Sequence, residues 1–345
     1  MNTALGTPDS PSQLEEMLSR PTPGVVEALG TVKGDILILG AGGKMGPSLA
    51  VMARRASDMA GVHRQITAIS RFGDVAIRNY LTQNNVEVLP RDLLLPDAID
   101  TLPEAPNLIY MAGLKFGTTH HRGLTWAMNT WLPGLVCDRY HTSRAVIFST
   151  GNVYGLTPVA GGGSREEDVP APVGEYAMSA LGRERIFEYF AHARGMAQSI
   201  IRLNYACDLR YGVLVDIARK VMDGTPVPLS MGYLNTIWQG DANAMILSSL
   251  AHTADPPLVL NVTGSQVIRV RDAATYFGKK FDREPVFEGE EAEDALLSNS
   301  ARAVERFGPP QVDEETLLGW IADWLLAGRP LLNKPTHFEA RNGQF

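Results

Sequence analysis

Six short apolar segments recur at helix-length intervals over the first two thirds of the chain, and this alternation constrains the fold more than any other feature. The segments are GDILILG (34–40), QITAIS (65–70), VEVL (86–89), NLIYMAG (107–113), RAVIFST (144–150) and QSIIRLN (198–204). Continuous apolar runs of this length are typical of parallel strands that are buried on both faces. Strands that alternate with helices form right-handed βαβ units. The sequence therefore predicts an α/β fold with a Rossmann-type, doubly wound parallel sheet.

Composition narrows the class of protein. The 345 residues are 45% hydrophobic and 20% charged, as expected for a globular domain with a substantial core. The net charge of −7 argues against a nucleic-acid partner, which needs a basic face. No apolar run is long enough to span a membrane, and the N-terminus lacks the pattern of a secretory signal. With only Cys137 and Cys207 and no CxxC pair, we expect a cytoplasmic protein. The partner that we expect for it is a small molecule.

A glycine-rich turn, GAGGKMG, follows the first predicted strand directly. Glycine permits a positive φ and lets the backbone approach a pyrophosphate closely. The helix that follows points its free N–H groups at such an anion. The expected cofactor contacts in this turn are Gly40, Gly42, Gly43, Lys44, Met45 and Gly46. The alternative is a glycine-rich turn without a ligand.

The end of the second predicted strand bears on the choice of cofactor. An acidic residue there accepts a hydrogen bond from a ribose 2′-hydroxyl and favours NAD. This chain has Ser70 and Arg71 instead, and a hydroxyl beside a guanidinium suits a 2′-phosphate. NADP is therefore the expected cofactor, with NAD possible, unless Arg71 stacks on the adenine or lies in solvent. Asp92, after the third strand, either contacts the adenine or caps the next helix.

The predicted organisation has four parts. Residues 1–30 are expected to form a short helix, with Ser12 as its N-cap, and a tether. Residues 31–204 form the dinucleotide-binding domain. Residues 205–330, where short helical pieces alternate with proline and glycine breaks, form a smaller α/β substrate lobe, with some segments returning to the sheet. Residues 331–345 form a polar C-terminal tail.

Several motifs occur together in one order. FSTGNVYG ends the fifth strand and YAMSALGRE begins at Tyr176, while the first, fourth and seventh positions of GAGGKMG are glycine. Asn129, RLNYACDLRYG (202–212), IWQGDANAMILSSL (237–250) and NVTGSQVIRVRDAA (261–274) follow the same pattern. From about residue 35 to about residue 310 the chain resembles the extended short-chain dehydrogenase/reductase family, the nucleotide-sugar epimerases and dehydratases.

The resemblance implies a chemistry and a set of site residues. Thr150 would hold the substrate oxygen and Tyr176 would exchange a proton with it, on a sugar, nucleotide sugar or sugar acid, while a hydride passes to or from the nicotinamide. Further cofactor contacts are expected from Ser70, Arg71, Asp92, Leu93, Ala112, Gly113, Asn129 and Asn204. Substrate contacts are expected from Lys115, Asn152, Tyr205 and Arg210. The family analogy also implies a homodimer formed through two long helices, including the one that carries Tyr176.

The sequence departs from the family at one catalytic position, because the lysine of the YxxxK motif is Ala180. A tyrosine of pKa about 10 is only about 0.1% phenolate at pH 7, a deficit of roughly 4 kcal/mol. Lys115, at the carboxyl edge of the sheet, is the first candidate replacement, and a solvated loop lysine is the alternative. Arg183 shares the helix face of Tyr176, or it pairs with Glu184 or Glu188 on the surface. The charge of an oxidised nicotinamide is a third source.

Other functions stay open at this stage. Without the lysine, the chain is either a catalyst with a substitute cation, a dinucleotide-binding sensor or scaffold without turnover, or a non-redox isomerase or lyase. His120 and His121 adjoin the Lys115 loop, but no Cys/His/Asp spacing completes a metal site around them. We therefore expect no metal, and we expect one of the two histidines to lie near substrate at most.

Overall fold

Seven parallel strands form the central sheet of the computed structural model, which describes residues 6–118 and 120–343. The described residues contain fifteen strands in all, including those outside this sheet. In chain order they are β1 (Ile36–Leu39), β2 (Ile66–Ser70), β3 (Glu87–Pro90), β4 (Asn107–Tyr110), β5 (Arg144–Thr150), β6 (Thr157–Pro158), β7 (Gln198–Leu203), β8 (Ala206–Cys207), β9 (Val227–Pro228), β10 (Tyr233–Leu234), β11 (Ile237–Trp238), β12 (Leu258–Val262), β13 (Ile268–Arg269), β14 (Phe287–Glu288) and β15 (Asp294–Ala295). The order in the sheet is β12-β7-β5-β4-β1-β2-β3. The predicted fold class is confirmed.

Each of the six apolar segments contains a strand of this sheet. In register, Ile36 of β1 lies opposite Ile66 of β2 on one side and Asn107 of β4 on the other. The seventh strand, β12, comes from the C-terminal half of the chain and pairs with β7. The eight two-residue strands form four separate pairs outside this sheet.

Twelve α-helices surround these strands in the described residues. They are α1 (Pro11–Leu18), α2 (Pro23–Thr31), α3 (Gly46–Met59), α4 (Val75–Gln83), α5 (Arg122–Trp126), α6 (Leu132–Arg139), α7 (Gly174–Arg194), α8 (Val213–Asp223), α9 (Gln239–Ser248), α10 (Val270–Phe281), α11 (Ala301–Phe307) and α12 (Glu314–Leu326). A π-helical turn, Ala127–Trp131, joins α5 to α6. None of the helices in the described ranges is both long and apolar enough to cross a membrane.

The core has three parts. Helices α2, α3 and α9 pack on one face of the sheet, and α6 and α7 pack on the other, which is the doubly wound arrangement. A third cluster fills the substrate lobe between α8, α10 and α12. Leu14 and Leu18 of α1 are fully buried in this third cluster, so the N-terminal helix is part of the lobe.

The N-terminal segment differs from its prediction in two ways. The N-cap of α1 is Ser10, whose Oγ accepts from the Gln13 backbone N–H at 3.3 Å, and not Ser12. Proline fits the first helical position because its missing N–H has no partner there in any case, so the helix begins at Pro11. The expected tether is helix α2, whose apolar residues at spacing four, Val25 and Leu29, are buried against the sheet.

The segment predicted as a polar C-terminal tail is packed against the lobe over the residues described. Phe338 is only 2% exposed and belongs to the core of the lobe. Asp216 of α8 accepts hydrogen bonds from the backbone N–H and the hydroxyl of Thr336, at 2.7 and 2.6 Å. Residues 344 and 345 of the predicted tail lie outside the described part of the chain.

Candidate dinucleotide and catalytic site

The predicted site residues meet at the carboxyl edge of the sheet. Gly40 follows β1, Ala112 and Gly113 follow β4, and Thr150 ends β5. These three strands are neighbours and parallel, so their last residues share one edge. Ligands of open α/β sheets bind in the crevice outside this edge.

Three glycines of the turn are required by close approaches. Gly40 has φ +90°, and a Cβ there would lie 2.5 Å from the backbone N of Ala112. A Cβ at Gly42 would lie 2.6 Å from Ser70 Oγ, and one at Gly46 would overlap the carbonyl oxygen of Ala41. The turn therefore has to be glycine-rich in order to pack against the ends of β2 and β4.

The start of α3 suits an anion. Met45 occupies the N-cap position of this helix and makes no side-chain cap hydrogen bond, and within the described ranges no other side chain accepts from the N–H groups of the first turn. Unsatisfied N–H groups at a helix N-terminus carry a partial positive charge and bind phosphate groups. The turn and the helix start thus fit the pyrophosphate of a dinucleotide.

The residues expected at the adenosine end lie after β2 and β3. Ser70 is half-buried beside Gly42, and Arg71 is exposed. Asp92 Oδ1 accepts from the Leu94 backbone N–H at 3.1 Å, so its carboxylate stabilises a turn and does not cap a helix. Leu93 is buried in the core on the α6–α7 face.

Tyr176 and Thr150 come together across two elements. Tyr176 lies in the first turn of α7, and its hydroxyl forms a hydrogen bond with the hydroxyl of Thr150 at the end of β5. Thr150 Oγ1 also accepts from Asn152 Nδ2 at 2.9 Å. Burial raises the pKa of Tyr176, while the bond to Thr150 and the charge of Arg183 act in the opposite direction. The two side chains therefore lie together at the carboxyl edge of the sheet.

Ala180, at the position of the family lysine, is buried in a small apolar cluster with Val153 and Tyr154. One turn further along α7, Arg183 is buried as well. Its Nη1 donates to the Phe148 carbonyl at 2.7 Å, and its Nη2 donates to Asn129 Oδ1 at 2.9 Å. The charge of this arginine, which belongs to the same helix as Tyr176, lowers the pKa of that tyrosine.

The alternative prediction, that Arg183 pairs with Glu184 or Glu188 on the surface, is wrong. Glu184 is fully buried and pairs with Arg202 at 2.7 Å, and Glu188 pairs with Arg185 at 2.6 Å. Arg183 turns inward because the space above Gly113 admits it: a Cβ at Gly113 would lie 2.5 Å from Arg183 Nη2.

Asn129 connects this cation to the loop after β4. Its Oδ1 accepts from the Leu114 backbone N–H at 2.8 Å, and its Nδ2 donates to the Leu114 carbonyl at 2.9 Å and to Ser179 Oγ at 2.9 Å. It lies in the π-helical turn, an irregularity that often marks functional positions.

Lys115 lies in the same loop, next to Leu114. Its Nζ is 5.8 Å from the centroid of the Tyr176 ring and 5.4 Å from that of Phe116. Burial lowers the pKa of Lys115 to about 8. The lysine is thus half-buried at the site, in contrast to the solvated loop lysine of the alternative reading.

The other predicted substrate and cofactor residues have structural partners. Asn204 is buried, and its Nδ2 donates to Asn235 Oδ1 at 3.0 Å. Arg210 forms ion pairs with Asp208 at 2.7 Å and with Glu15 of α1 at 2.5 Å, so its guanidinium fastens the N-terminal helix to the lobe. Tyr205 adopts φ +45°, and burial raises the pKa of its hydroxyl.

Three further side chains belong to the site and were missed. Tyr211 lies next to Lys44, whose Nζ is 3.0 Å from its ring centroid, and Phe116 lies between Lys44 and Lys115. His337 of the C-terminal segment faces the Phe116 ring at 6.2 Å between centroids. The motif RLNYACDLRYG contains Tyr211 and so offered a signal, whereas nothing local marked His337. Among the described residues no group of three or more His, Cys, Asp or Glu side chains is placed to hold a metal ion.

No protein-family model and no curated protein matches the sequence of this chain. Solved structures do match its fold. The UDP-glucose 4-epimerase of Thermotoga maritima with UDP-glucose has a TM-score of 0.70 at 16% identity, over 85% of this chain and 99% of that one. The UDP-glucuronic acid 4-epimerase of Bacillus cereus with UDP-glucuronic acid and NAD has a TM-score of 0.70 at 14% identity, over the same shares.

The UDP-glucose 4-epimerase of Thermus thermophilus in complex with NAD is similar in the same way. Its TM-score is 0.67 at 17% identity, over 84% of this chain and 98% of the epimerase. Nearly the whole length of each of these proteins is therefore matched, which includes both the sheet and the smaller lobe. At these identities the likeness establishes the fold alone, which this chain shares with these solved epimerases.

Proposed function

We propose that the protein is a nicotinamide-dinucleotide-dependent enzyme that acts on a carbohydrate-like substrate, as an epimerase or a related oxidoreductase. The observation that carries the proposal is the hydrogen bond between Tyr176 and Thr150 at the same sheet edge as the glycine turn. The fold shared with NAD-bound nucleotide-sugar epimerases supports it.

The hydroxyls of Thr150 and Tyr176 have different roles at the substrate oxygen. Thr150 orients the reacting hydroxyl of the substrate, and Tyr176 removes its proton during oxidation and returns one during reduction. A bound nicotinamide dinucleotide supplies the hydride acceptor and donor. Because burial raises the pKa of Tyr176, its hydroxyl is protonated at neutral pH and is ready to act as an acid. Acting as a base requires a neighbouring positive charge.

We propose Arg183 as that charge, in place of the lysine absent at Ala180. The charge of Arg183 lowers the pKa of Tyr176, although burial outweighs this effect. Its Nη1 and Nη2 are held by the Phe148 carbonyl and by Asn129. Among the described residues no hydrogen-bond partner was found for its Nε. Lys115, whose Nζ is 5.8 Å from the centroid of the Tyr176 ring, is proposed to contact the substrate directly.

For the cofactor we propose NADP, with NAD as the second choice. The exposed guanidinium of Arg71 directly after β2, next to the hydroxyl of Ser70, supports a 2′-phosphate. The solved epimerases named above contain NAD, which supports a dinucleotide of this type in general.

The assay that tests the proposal is conversion of a panel of sugars, nucleotide sugars and sugar acids by the wild type and by Tyr176→Phe. Phenylalanine keeps the ring but removes the proton, so we expect a loss of about 10²- to 10⁴-fold in kcat with unchanged cofactor affinity. Equal turnover by both proteins would refute the role of Tyr176.

A non-redox isomerase or lyase is the second candidate, favoured by the raised pKa of Tyr176, which suits an acid that donates and does not remove protons. Conversion of substrate with no transient reduced nicotinamide at 340 nm, in single turnover, would establish it. Tight binding of NADPH with no conversion of any compound in the panel would instead indicate a sensor or scaffold.

We also propose a homodimer through α5, α6 and α7. Large apolar side chains are exposed along these helices at Leu124, Trp126, Trp131, Leu135, Met178 and Tyr189. Exposed apolar groups concentrated on one set of helices are typical of a protein interface. Light scattering of the purified protein should give twice the chain mass, and a monomer would contradict the proposal.

A further inference from the structure

The C-terminal segment, residues 329–343, crosses the substrate lobe and returns to the catalytic helix. The Leu332 backbone N–H donates to the Arg210 carbonyl at 3.1 Å, and Thr336 is held by Asp216. At its far end Gly343 packs directly against Gly174, the first residue of α7. A Cβ on Gly174 would overlap the carbonyl oxygen of Gly343, and one on Gly343 would overlap that of Val173. The segment is thus built into the lobe beside the site.

This segment adds a third lysine, Lys334, to Lys44 and Lys115, which were described above. Lys44 extends from the glycine turn toward Tyr211 of the lobe, and Lys44 and Lys115 lie 5.1 and 5.4 Å from the centroid of the same Phe116 ring. Lys334 lies close enough for its charge to lower the pKa of Lys44, as the charge of Lys115 also does. In the chain Lys334 lies between Leu332, whose N–H donates to the Arg210 carbonyl, and His337, whose ring faces Phe116, so it belongs to the same region as Lys44 and Lys115.

The two carboxylates whose charges raise the pKa of Lys44 have other partners. Asp216 accepts two hydrogen bonds from Thr336, and Asp208 pairs with Arg210. In the described part of the chain no carboxylate forms an ion pair with Lys44 or Lys334. Burial and the two neighbouring lysines bring the pKa of Lys44 down to about 7, with Asp216 and Asp208 opposing them only weakly. An anion that binds between like charges held close together offsets their mutual repulsion, and this favours its binding.

We propose that Lys44, Lys115 and Lys334 form a binding site for an oxyanion of the substrate. The inference rests on the proposed function, because it names the substrate class of the same site. Lys115 Nζ is 5.8 Å from the Tyr176 ring, so the oxyanion lies close to the reacting carbon. A carboxylate of a sugar acid fits this position, and a phosphate group is the other source of the same chemistry. In this arrangement the backbone of the glycine turn binds the dinucleotide, and the Lys44 side chain binds the substrate.

Binding to the cofactor-saturated protein tests this site without requiring turnover. The probes are inorganic phosphate, D-glucuronate and UDP, with neutral D-glucose as the control ligand, and the measurements are calorimetry and the thermal unfolding midpoint. We expect the wild type to bind at least one anion, and Lys44→Met and Lys334→Met each to weaken that binding about tenfold. Lys279→Met, which removes an exposed lysine of α10, should have no effect.

The outcomes separate the possibilities. Lysine-dependent binding of phosphate and D-glucuronate supports a carboxylate substrate, and lysine-dependent binding of phosphate and UDP supports a phosphorylated one. Anion binding that is absent, or that is the same in all variants, overturns the site. A loss of cofactor affinity in Lys44→Met and Lys334→Met, with anion binding unchanged, overturns it too. Lysine-dependent anion binding by a protein that shows no Tyr176-dependent conversion would reject the proposed function and keep the site.

Discussion

Arg183 Nη2 donates a hydrogen bond of 2.9 Å to Asn129 Oδ1, and this bond joins helix α7 to the π-helical turn between α5 and α6. Asn129 in turn holds both the N–H and the carbonyl of Leu114. The same side chain therefore positions both Arg183 and the loop that carries Lys115. The electrostatics of Tyr176 depend on this arrangement.

Replacing Arg183 should change the pH dependence of the reaction. Tyr176 acts as a base only as phenolate, so oxidation speeds up as pH rises toward the pKa of Tyr176. The charge of Arg183 lowers that pKa, and its removal in Arg183→Met raises it. We expect the midpoint of the rate profile for oxidation to move about one unit to higher pH. Arg183→Lys keeps the charge and should move it less.

Lys115→Ala serves as the contrasting variant for this profile. Because Lys115 is placed to bind substrate, its loss should raise KM and cost more kcat/KM at pH 7 than the loss of Arg183, without moving the midpoint. Small and equal effects of both substitutions on rate and midpoint would show that neither residue replaces the missing lysine.

Gly113→Ala tests the space that admits the guanidinium. The new Cβ would lie 2.5 Å from Arg183 Nη2 and 3.1 Å from Asn129 Oδ1, so the guanidinium has to move. We expect kcat/KM to fall about ten- to a hundredfold, with the pH midpoint moving in the same direction as in Arg183→Met. Gly123→Ala in α5 is the matched control, because a Cβ there has no heavy atom within 4 Å. Wild-type kinetics in Gly113→Ala would mean that the position of Arg183 is unimportant.

Arg71→Ala tests the cofactor preference. A charge-assisted hydrogen bond to a 2′-phosphate contributes about 1.5–3 kcal/mol, so its loss should weaken NADPH binding by roughly ten- to a hundredfold. NADH lacks the 2′-phosphate, and its dissociation constant should change by less than about threefold. Fluorescence titration of the two reduced cofactors measures both values, and parallel losses would exclude a 2′-phosphate contact.

Glu184→Gln should destabilise the fold. Glu184 is fully buried and accepts three hydrogen bonds from Arg202, so its neutralisation leaves a buried guanidinium without its counter-charge. We expect the free energy of unfolding to fall by about 3 kcal/mol, measured in urea. Glu188→Gln breaks only the exposed pair with Arg185 and should cost no more than about 1 kcal/mol. Similar values for the two variants would contradict this assignment.

Local pattern was sufficient for the sheet and for one edge of the site. Runs such as GDILILG and NLIYMAG contain strands of the sheet because a buried parallel strand needs a continuous apolar segment. Parallel pairing then places Gly40, Gly113 and Thr150 at one edge, whatever the details of packing. In the same way, the helical spacing of seven put Arg183 on the face of Tyr176.

The sequence by itself thus determined the fold class and the glycine turn, since both follow from periodicity and from the direction of parallel strands. The pairing of Thr150 with Tyr176 was implied only by the resemblance to a known family. Only the tertiary structure decided which partners the charged side chains take. Arg183 turns inward because Gly113 leaves room and Asn129 accepts, and Arg210 is held by Glu15 of a helix far away in sequence. The return of Lys334 and His337 to the site also depends on such contacts. Ion pairing and burial are set by neighbours in space, which no local pattern of residues specifies.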